Sequence, residues 1–381
     1  MTKKIAFFCD NFIVGGVERV LVNICNILSE SGNDVTIIWT GYVEDNFLLK
    51  QLNPKIKQIS AVEKLKLEAT LKPKNDFWKR KIWRIKKAID KYKLRNISKH
   101  IDDFSSFDVL VDFKNGDGFV SNMRSFPNQT KVVWIHGSYS LYGRAKFIKR
   151  NKIFNYDKIV CLTKEFQDHF TADYPKEEQK IVHIYNPFDI ETVKNKSLEQ
   201  NEDIFNYAPF FVCVSRLDND KDIITVLNAC KVFYQDETRK NKMVFLGDGR
   251  NAQKFKDFVK ENNLTDKVFF LGNVANPYSW IKSAQALIMS SKNEGLPTVL
   301  MEAQICETLC VSSNCPCGPK EILEDGQSGI LFDVGDYNKL AQIMEDIENQ
   351  KIDGKEYANK ALSSLSRFDK DSFINSFRKI I

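Results

Sequence analysis

Short apolar runs alternate with helical patterns along almost the whole chain, and this alternation limits the possible folds more than any other feature. Residues 4–9 read as a strand. Residues 17–29 read as a helix carrying Leu21, Ile24, Cys25 and Leu28 on one face, with Gly32 fit to close it. Residues 34–39 form the next strand-like run, followed by 108–113, 131–135, 158–162 and 180–185. The polar stretch 193–203 reads as a loop or linker. The pattern then restarts, with strand-like runs at 209–214, 243–246, 268–271, 286–289, 309–312 and 329–332. Strands separated by helices imply parallel sheets covered on both faces. The expectation is two doubly wound α/β domains, 1–187 and 208–360, joined by a linker at 188–207. A helical tail, 361–381, is expected to pack back on the first domain. Two such domains in series leave a cleft, and ligands of these folds bind at the carboxyl ends of strands.

No run of about 18 apolar residues occurs, so no membrane-spanning helix is expected. The start, MTKKIAFFCDNF, lacks an apolar core and cleavage site and reads as a strand, so a cytoplasmic location is expected. Nine cysteines fit a reducing compartment, because Cys9, Cys161 and Cys213 lie inside apolar runs where a thiol is a small hydrophobe. Cys306, Cys310, Cys315 and Cys317 have spacings that match no common structural zinc pattern.

The net charge of +6 is unevenly placed: residues 61–100 hold 14 Lys or Arg against 4 Asp or Glu. Inside this segment Trp78, Ile82, Ile85, Ile89 and Tyr92 fall at helical steps, with Lys79, Arg80, Lys81, Arg84, Lys86, Lys87 and Lys91 between them. A basic amphipathic helix over 77–95 suits an anionic membrane surface, which would make the protein peripheral on the inner face of the cell membrane. The competing reading packs this stripe on the first domain's sheet and leaves the lysines in water. Nucleic acid is not an expected partner, since no recognised nucleic-acid module accompanies the charge.

The densest chemistry lies in 290–302, SSKNEGLPTVLME. A strand, a turn at Gly295 and a helix opening at Pro297 make an anion site, with Glu294 in the turn and Glu302 within the helix. Arg216 and Lys221 follow another strand, where cations suit a diphosphate. Their alternative role is ion pairing with Asp218, Asp220 or Asp222. Gly15 and Gly16 follow the first strand and let the backbone approach a ligand closely. His136 ends the strand 131–135, where an imidazole reaches a hydroxyl.

These pieces, in order, resemble the retaining glycosyltransferases of family 4, which have the GT-B fold, of bacterial surface-glycan type. The resemblance covers most of the chain. It rests on IVGGVERV (13–20), VWIHG (133–137), VSRLDNDKD (214–222), LGDGR (246–250), FLGNVAN (270–276), the E-x7-E segment and CGPKEILEDGQSGILF (317–332). Ser215 stands where the family often has glycine. The resemblance implies transfer of a hexose or N-acetylhexosamine from a nucleotide sugar, UDP rather than GDP, to a hydroxyl of a glycan or lipid-linked acceptor. It implies phosphate binding by Arg216 and Lys221 and donor-sugar contacts by Glu294 and His136. Glu302 would take the ribose diol, and Gly295, Leu296, Pro297 and Thr298 the phosphates or sugar. Gly247 and Val274 would wall the base. The fold's use of cations and helix dipoles implies no metal at Asp218-Asn219-Asp220. A phosphorylase, a sugar-nucleotide epimerase or a non-catalytic scaffold of the same fold are the alternatives.

Overall fold

The computed structural model describes the chain except residues 1, 13–14, 47, 69–75, 95, 114–119, 121–128, 140–146 and 149–151, and the side chain of Lys91. Ile13 and Val14 of the 13–20 motif, and 69–75 and Arg95 of the basic segment, therefore lie outside the described residues. The chain divides into two units, Met1–Phe188 with Lys370–Ile381, and Asp189–Asp369.

The first unit holds strands β1 (Lys4–Cys9), β2 (Asp34–Trp39), β3 (Lys57–Ser60), β4 (Val109–Asp112), β5 (Thr130–Ile135), β6 (Lys158–Cys161) and β7 (Ile181–His183). They form one parallel sheet in the order β3-β2-β1-β4-β5-β6-β7. Ile5, Ala6, Phe7 and Phe8 are all buried, as expected for a strand covered on both faces. The second unit holds β8 (Phe210–Val214), β9 (Lys242–Leu246), β10 (Val268–Gly272), β11 (Ala286–Met289), β12 (Cys310–Ser313) and β13 (Ile330–Phe332). Its parallel sheet runs β10-β9-β8-β11-β12-β13. Both are doubly wound, with strand order reversing beside the first strand, at β1/β4 and at β8/β11. Loops leaving the carboxyl ends of those pairs diverge, and the gap they leave is where such sheets take ligands.

Three expectations need correction, and one strand was not expected. The stretch 193–203 is not a linker. Ile190–Ser197 is a helix capped by the Asp189 carboxylate, which accepts from the Thr192 N–H at 3.0 Å, and it buries Val193 and Ser197 one turn apart. It belongs to the second unit, as does the 3-10 turn Glu202–Asn206. The tail is not one helix: Gly354–Ser364 and the turn Leu365–Phe368 stay with the second unit, and only Lys370–Arg378 belongs to the first. There Phe373 and Phe377 pack on Trp134 at ring separations of 6.3 and 6.2 Å. Strand β3 had no sequence signal, because Lys-Gln-Ile-Ser on a sheet edge carries one apolar residue. Finally, the basic helix, Phe77–Leu94, turns its apolar stripe outward: Trp78, Ile82, Ile85, Ile89 and Tyr92 are 51–68% exposed. Its inward side carries Asp90 and Leu94, both buried. The reading that laid the stripe on the sheet does not hold.

Candidate functional site

Loops after β8, β9, β10 and β11 bring the sequence-predicted residues of the second unit to one edge of one sheet. Arg216 and Lys221 follow β8, Gly247 follows β9, Val274 follows β10, and Glu294 and Gly295 follow β11. Arg216, Lys221 and Glu294 thus stand at the β8/β11 reversal.

Lys221 Nζ donates to Glu294 Oε1 at 2.6 Å, with the two side chains only 18% and 13% exposed. The β8 and β11 loops are tied together beneath this pair. Ser290 Oγ donates to the carbonyls of Lys221 and Asp222 at 2.9 and 3.1 Å, and the Lys292 N–H donates to Asp220 O at 2.9 Å. Asp222 sits in the left-handed region (φ +48°), an arrangement that a non-glycine residue keeps only when its surroundings enforce it. Here its buried carboxylate accepts from Thr225 Oγ1 at 2.8 Å and pairs with Lys292 Nζ at 3.0 Å. Ser290, Asp222 and Lys292 form a positioning network that sequence reading missed. Hydrogen bonds between loops 68 or more residues apart leave no local pattern.

Arg216 is 66% exposed, and its guanidinium reaches Asp218 at 2.8 Å and Asp220 at 3.5 Å. Both acids of the Asp218-Asn219-Asp220 sequence therefore face a guanidinium. Asp218 also accepts from Arg250, through its backbone N–H and its Nε, each at 3.2 Å. Burial pushes the Asp218 carboxyl up, but the Arg250 hydrogen bonds and the charges of Arg216 and Arg250 outweigh it and hold it below the usual carboxylate range. One buried carboxylate thus fixes two largely exposed guanidinium groups.

Close backbone approach explains two glycines. A Cβ on Gly247 would lie 2.1 Å from the Ser215 carbonyl oxygen, and its φ is +127°. The Gly247 N–H donates to Gly272 O at 2.7 Å, which joins the loop ends of β9 and β10. Gly318 (φ +102°) has no room for a Cβ, which would meet Pro297 Cδ at 2.5 Å and Gly295 O at 2.8 Å. The 317–332 motif therefore packs directly on the turn between the two glutamates. Pro297 precedes the helix Thr298–Ile305 rather than opening it, a shift of one position at the same φ, −69°. Glu302 is the fifth residue of that helix and is buried, as is Leu296.

The cysteines of this unit are buried, and two lie against backbone carbonyls: Cys306 Sγ donates to Tyr278 O and Cys310 Sγ to Leu300 O. Burial pushes the Cys306 and Cys315 thiols up to about 12. Among the described residues no group of three His, Cys, Asp or Glu side chains is arranged to hold a metal ion. No helix among them is long and apolar enough to cross a membrane.

In the first unit His136 lies just past β5, half-buried, with Nε2 2.7 Å from the Phe113 carbonyl oxygen and its ring against the Phe113 ring. A carbonyl only accepts, so Nε2 carries the proton. Gly15 is extended (φ −169°) before the helix Gly16–Glu30, and a Cβ on Gly16 would meet nothing within 4 Å. Unlike Gly247 and Gly318, Gly16 is not required by the fold's own contacts.

The family model "Glycosyltransferase Family 4" matches residues 14–192, and "Glycosyl transferases group 1" matches 194–363. An N-acetylgalactosaminyltransferase of Campylobacter jejuni, acting on N-acetylgalactosamine-N,N'-diacetylbacillosaminyl-diphospho-undecaprenol, is 29% identical over 56% of this chain and 57% of its own length. The chain thus spans little more than half of that relative. An α-1,4-N-acetylgalactosaminyltransferase of the same organism, with a diphospho-undecaprenol-linked acceptor, is 26% identical over 99% of this chain and 98% of its own. Among solved structures, S. aureus TarM with UDP, fondaparinux and α-GlcNAc-glycerol superposes with a TM-score of 0.79 at 13% identity, covering 100% of this chain and 99% of that one. Anabaena HepE with UDP-glucose superposes at 0.73 and 16% identity, covering 99% and 98%. At these identities the structural likeness establishes the fold.

Proposed function

We infer the reaction from a premise that the two family models supply together: the chain belongs to the family 4 glycosyltransferases, with the GT-B fold. We propose that it is a retaining transferase, moving a hexose or N-acetylhexosamine from a UDP-sugar to a hydroxyl of a glycan or lipid-linked acceptor in bacterial surface-glycan synthesis. The relatives that act on diphospho-undecaprenol-linked acceptors support the acceptor class, and neighbours solved with UDP or UDP-glucose support the donor.

The observation that carries the reading is the cationic edge at the β8/β11 reversal. Arg216 and Lys221 stand there with fixed partners, ready to exchange carboxylates for a diphosphate. Arg216 grips phosphate oxygens through its fork, and Lys221 acts as a point charge. Glu302 accepts from the ribose diol. Glu294, released by Lys221, takes hydroxyls of the transferred sugar, with His136 as a further contact. Gly247 and Val274 flank the base, Gly15 and Gly16 leave space for phosphate or acceptor, and the turn supplies the N–H groups of Gly295, Leu296 and Thr298, with Pro297 shaping its backbone. As the bond between the anomeric carbon and the β-phosphate oxygen breaks, negative charge grows on the diphosphate and the cations stabilise it. The acceptor oxygen bonds to the anomeric carbon on the same face, and its proton passes to the departing phosphate oxygen. The protein contributes positioning and electrostatics. No metal is required in this scheme, in which Arg216 and Lys221 supply the positive charge.

The test is release of UDP from a panel of UDP-sugars in the presence of an undecaprenyl-diphosphate-linked glycan, with the product's anomeric configuration read by NMR. Acceptor-dependent UDP release and an α-product from an α-donor are expected. A panel that yields only phosphorolysis or epimerisation overturns the proposal.

A further inference from the structure

We propose that the helix Phe77–Leu94 is a membrane-docking element. It lies in the plane of a bilayer that carries anionic lipid, with Trp78, Ile82, Ile85, Ile89 and Tyr92 inserted. This deepens the reading above and rests on it in one respect, that the acceptor is lipid-anchored.

Among the described residues the structure exposes twelve large hydrophobic side chains, and six lie on this one helix: Phe77, Trp78, Ile82, Ile85, Ile89 and Tyr92. An ordinary surface helix hides its apolar face, and isolated exposed hydrophobics are scattered rather than aligned. Here the alignment is tight. At about 100° per residue, the five from Trp78 to Tyr92 fall within an arc of roughly 80°. Covering them with water is unfavourable, so the stripe calls for an apolar partner.

The charge around the stripe specifies which partner. The helix carries eight Lys or Arg and a single acid, Asp90. By the same rotation Lys79, Lys86 and Lys93 fall along one edge of the stripe and Lys81 and Arg84 along the other. Lys79, Lys81 and Arg84 are exposed, and Lys81 Nζ lies 5.3 Å from the Trp78 ring centre. The acid is turned away: Asp90 is buried and accepts from the Glu68 N–H at 3.0 and 3.2 Å. Lys86 pairs with Glu68 at 3.1 Å and Lys93 Nζ donates to Lys66 O at 2.9 Å, which locks the rotation of the helix with the stripe outward. An apolar face bordered by cations, with the acid withdrawn, complements acyl chains beneath anionic headgroups. A second copy of this chain fits less well, since two such faces would bring like charges together.

The test is flotation of the full chain with vesicles of phosphatidylcholine alone or with phosphatidylglycerol, at low and high salt. Two variants accompany it: Ile85→Ser with Ile89→Ser, and Lys79→Glu with Lys81→Glu and Arg84→Glu. All five positions are exposed, so unchanged thermal midpoints are expected. The wild-type chain should float with anionic vesicles and release at high salt. Each cation lost should weaken partitioning about fivefold, and the Ile variant should lose binding at low salt as well. Equal flotation of wild type and variants, or none by the wild type, overturns the proposal. So does concentration-dependent dimerisation abolished by the Ile variant without vesicle binding. Transfer to a soluble acceptor separates the two claims. Turnover without flotation removes the docking role and leaves the reaction, whereas flotation without transfer from any UDP-sugar does the reverse.

Discussion

The carboxyl edges of the two sheets differ in how firmly the chain holds its own site residues. In the second unit, Lys221 and Glu294 pair in a largely buried setting, Asp218 holds two guanidinium groups, and Gly247 and Gly318 fit only because they lack a Cβ. In the first, Gly16 has open space where a side chain would go, and His136 rests on the carbonyl and ring of Phe113. A nucleotide diphosphate presents constant chemistry, so its site can be built into the core of a fold. In the proposed reading a variable acceptor suits an edge with open space such as that at Gly16.

Substitutions at the packed positions Lys221 and Gly247 of the second unit should therefore disturb activity and stability together, while those at the first unit's edge disturb activity alone. The largest effect belongs to Arg216→Ala, an exposed residue and the exception that separates the two terms. It should lower kcat/KM by about 10²–10³, the cost of removing one preorganised charge-stabilising group, with little change in thermal midpoint. Glu302→Ala should also cut activity strongly without unfolding the chain. Near-normal turnover by both variants removes these assignments.

Lys221→Ala should lower both readouts, because it strands the Glu294 carboxylate in a largely buried position. The loss of stability should be about 3 kcal/mol by denaturant titration, and pairing it with Glu294→Gln should restore part of it. Gly247→Ala should destabilise through its 2.1 Å clash, whereas Gly16→Ala should leave the midpoint unchanged and slow transfer. Equal destabilisation by both glycine variants would break the comparison.

A smaller effect is expected from Asp218→Asn. It frees Arg216 and Arg250 from their shared carboxylate and should weaken UDP binding about tenfold, measured by calorimetry. Because the folded-state pKa of Asp218 is depressed, its contribution to stability is complete above the ordinary carboxylate value of about 3.9. That contribution is lost only as pH falls below that value through the lowered one. The Asn variant should therefore be less stable than the wild type near neutrality, with the difference closing as pH falls through that range. The smallest signal is chemical: the Cys213, Cys306 and Cys315 thiols, pushed up to about 12 by burial, should resist thiol reagents until the second unit unfolds.

The same contrast governs what could be read from the sequence. Strands β8 and β11 are short apolar runs, and Arg216, Lys221, Glu294 and Glu302 follow them at fixed intervals, so their shared edge was legible. That Lys221 pairs with Glu294 was not, because 73 residues separate them and only the sheet order brings them together. The helix Ile190–Ser197 carries little apolar pattern, because it buries only Val193 and Ser197. The stripe on Phe77–Leu94 was plain as a pattern. Its direction was not, since periodicity places residues on one face without saying which way that face turns. The Glu68–Asp90 and Glu68–Lys86 contacts decide that.

The central claim is that the edge at β8/β11 grips a nucleoside diphosphate, and a crystal structure of the chain soaked with UDP tests it most directly. The account predicts diphosphate oxygens on Arg216 and Lys221 and the ribose diol on Glu302. UDP bound elsewhere, or an edge that keeps both cations on their carboxylates at saturating UDP, would contradict it.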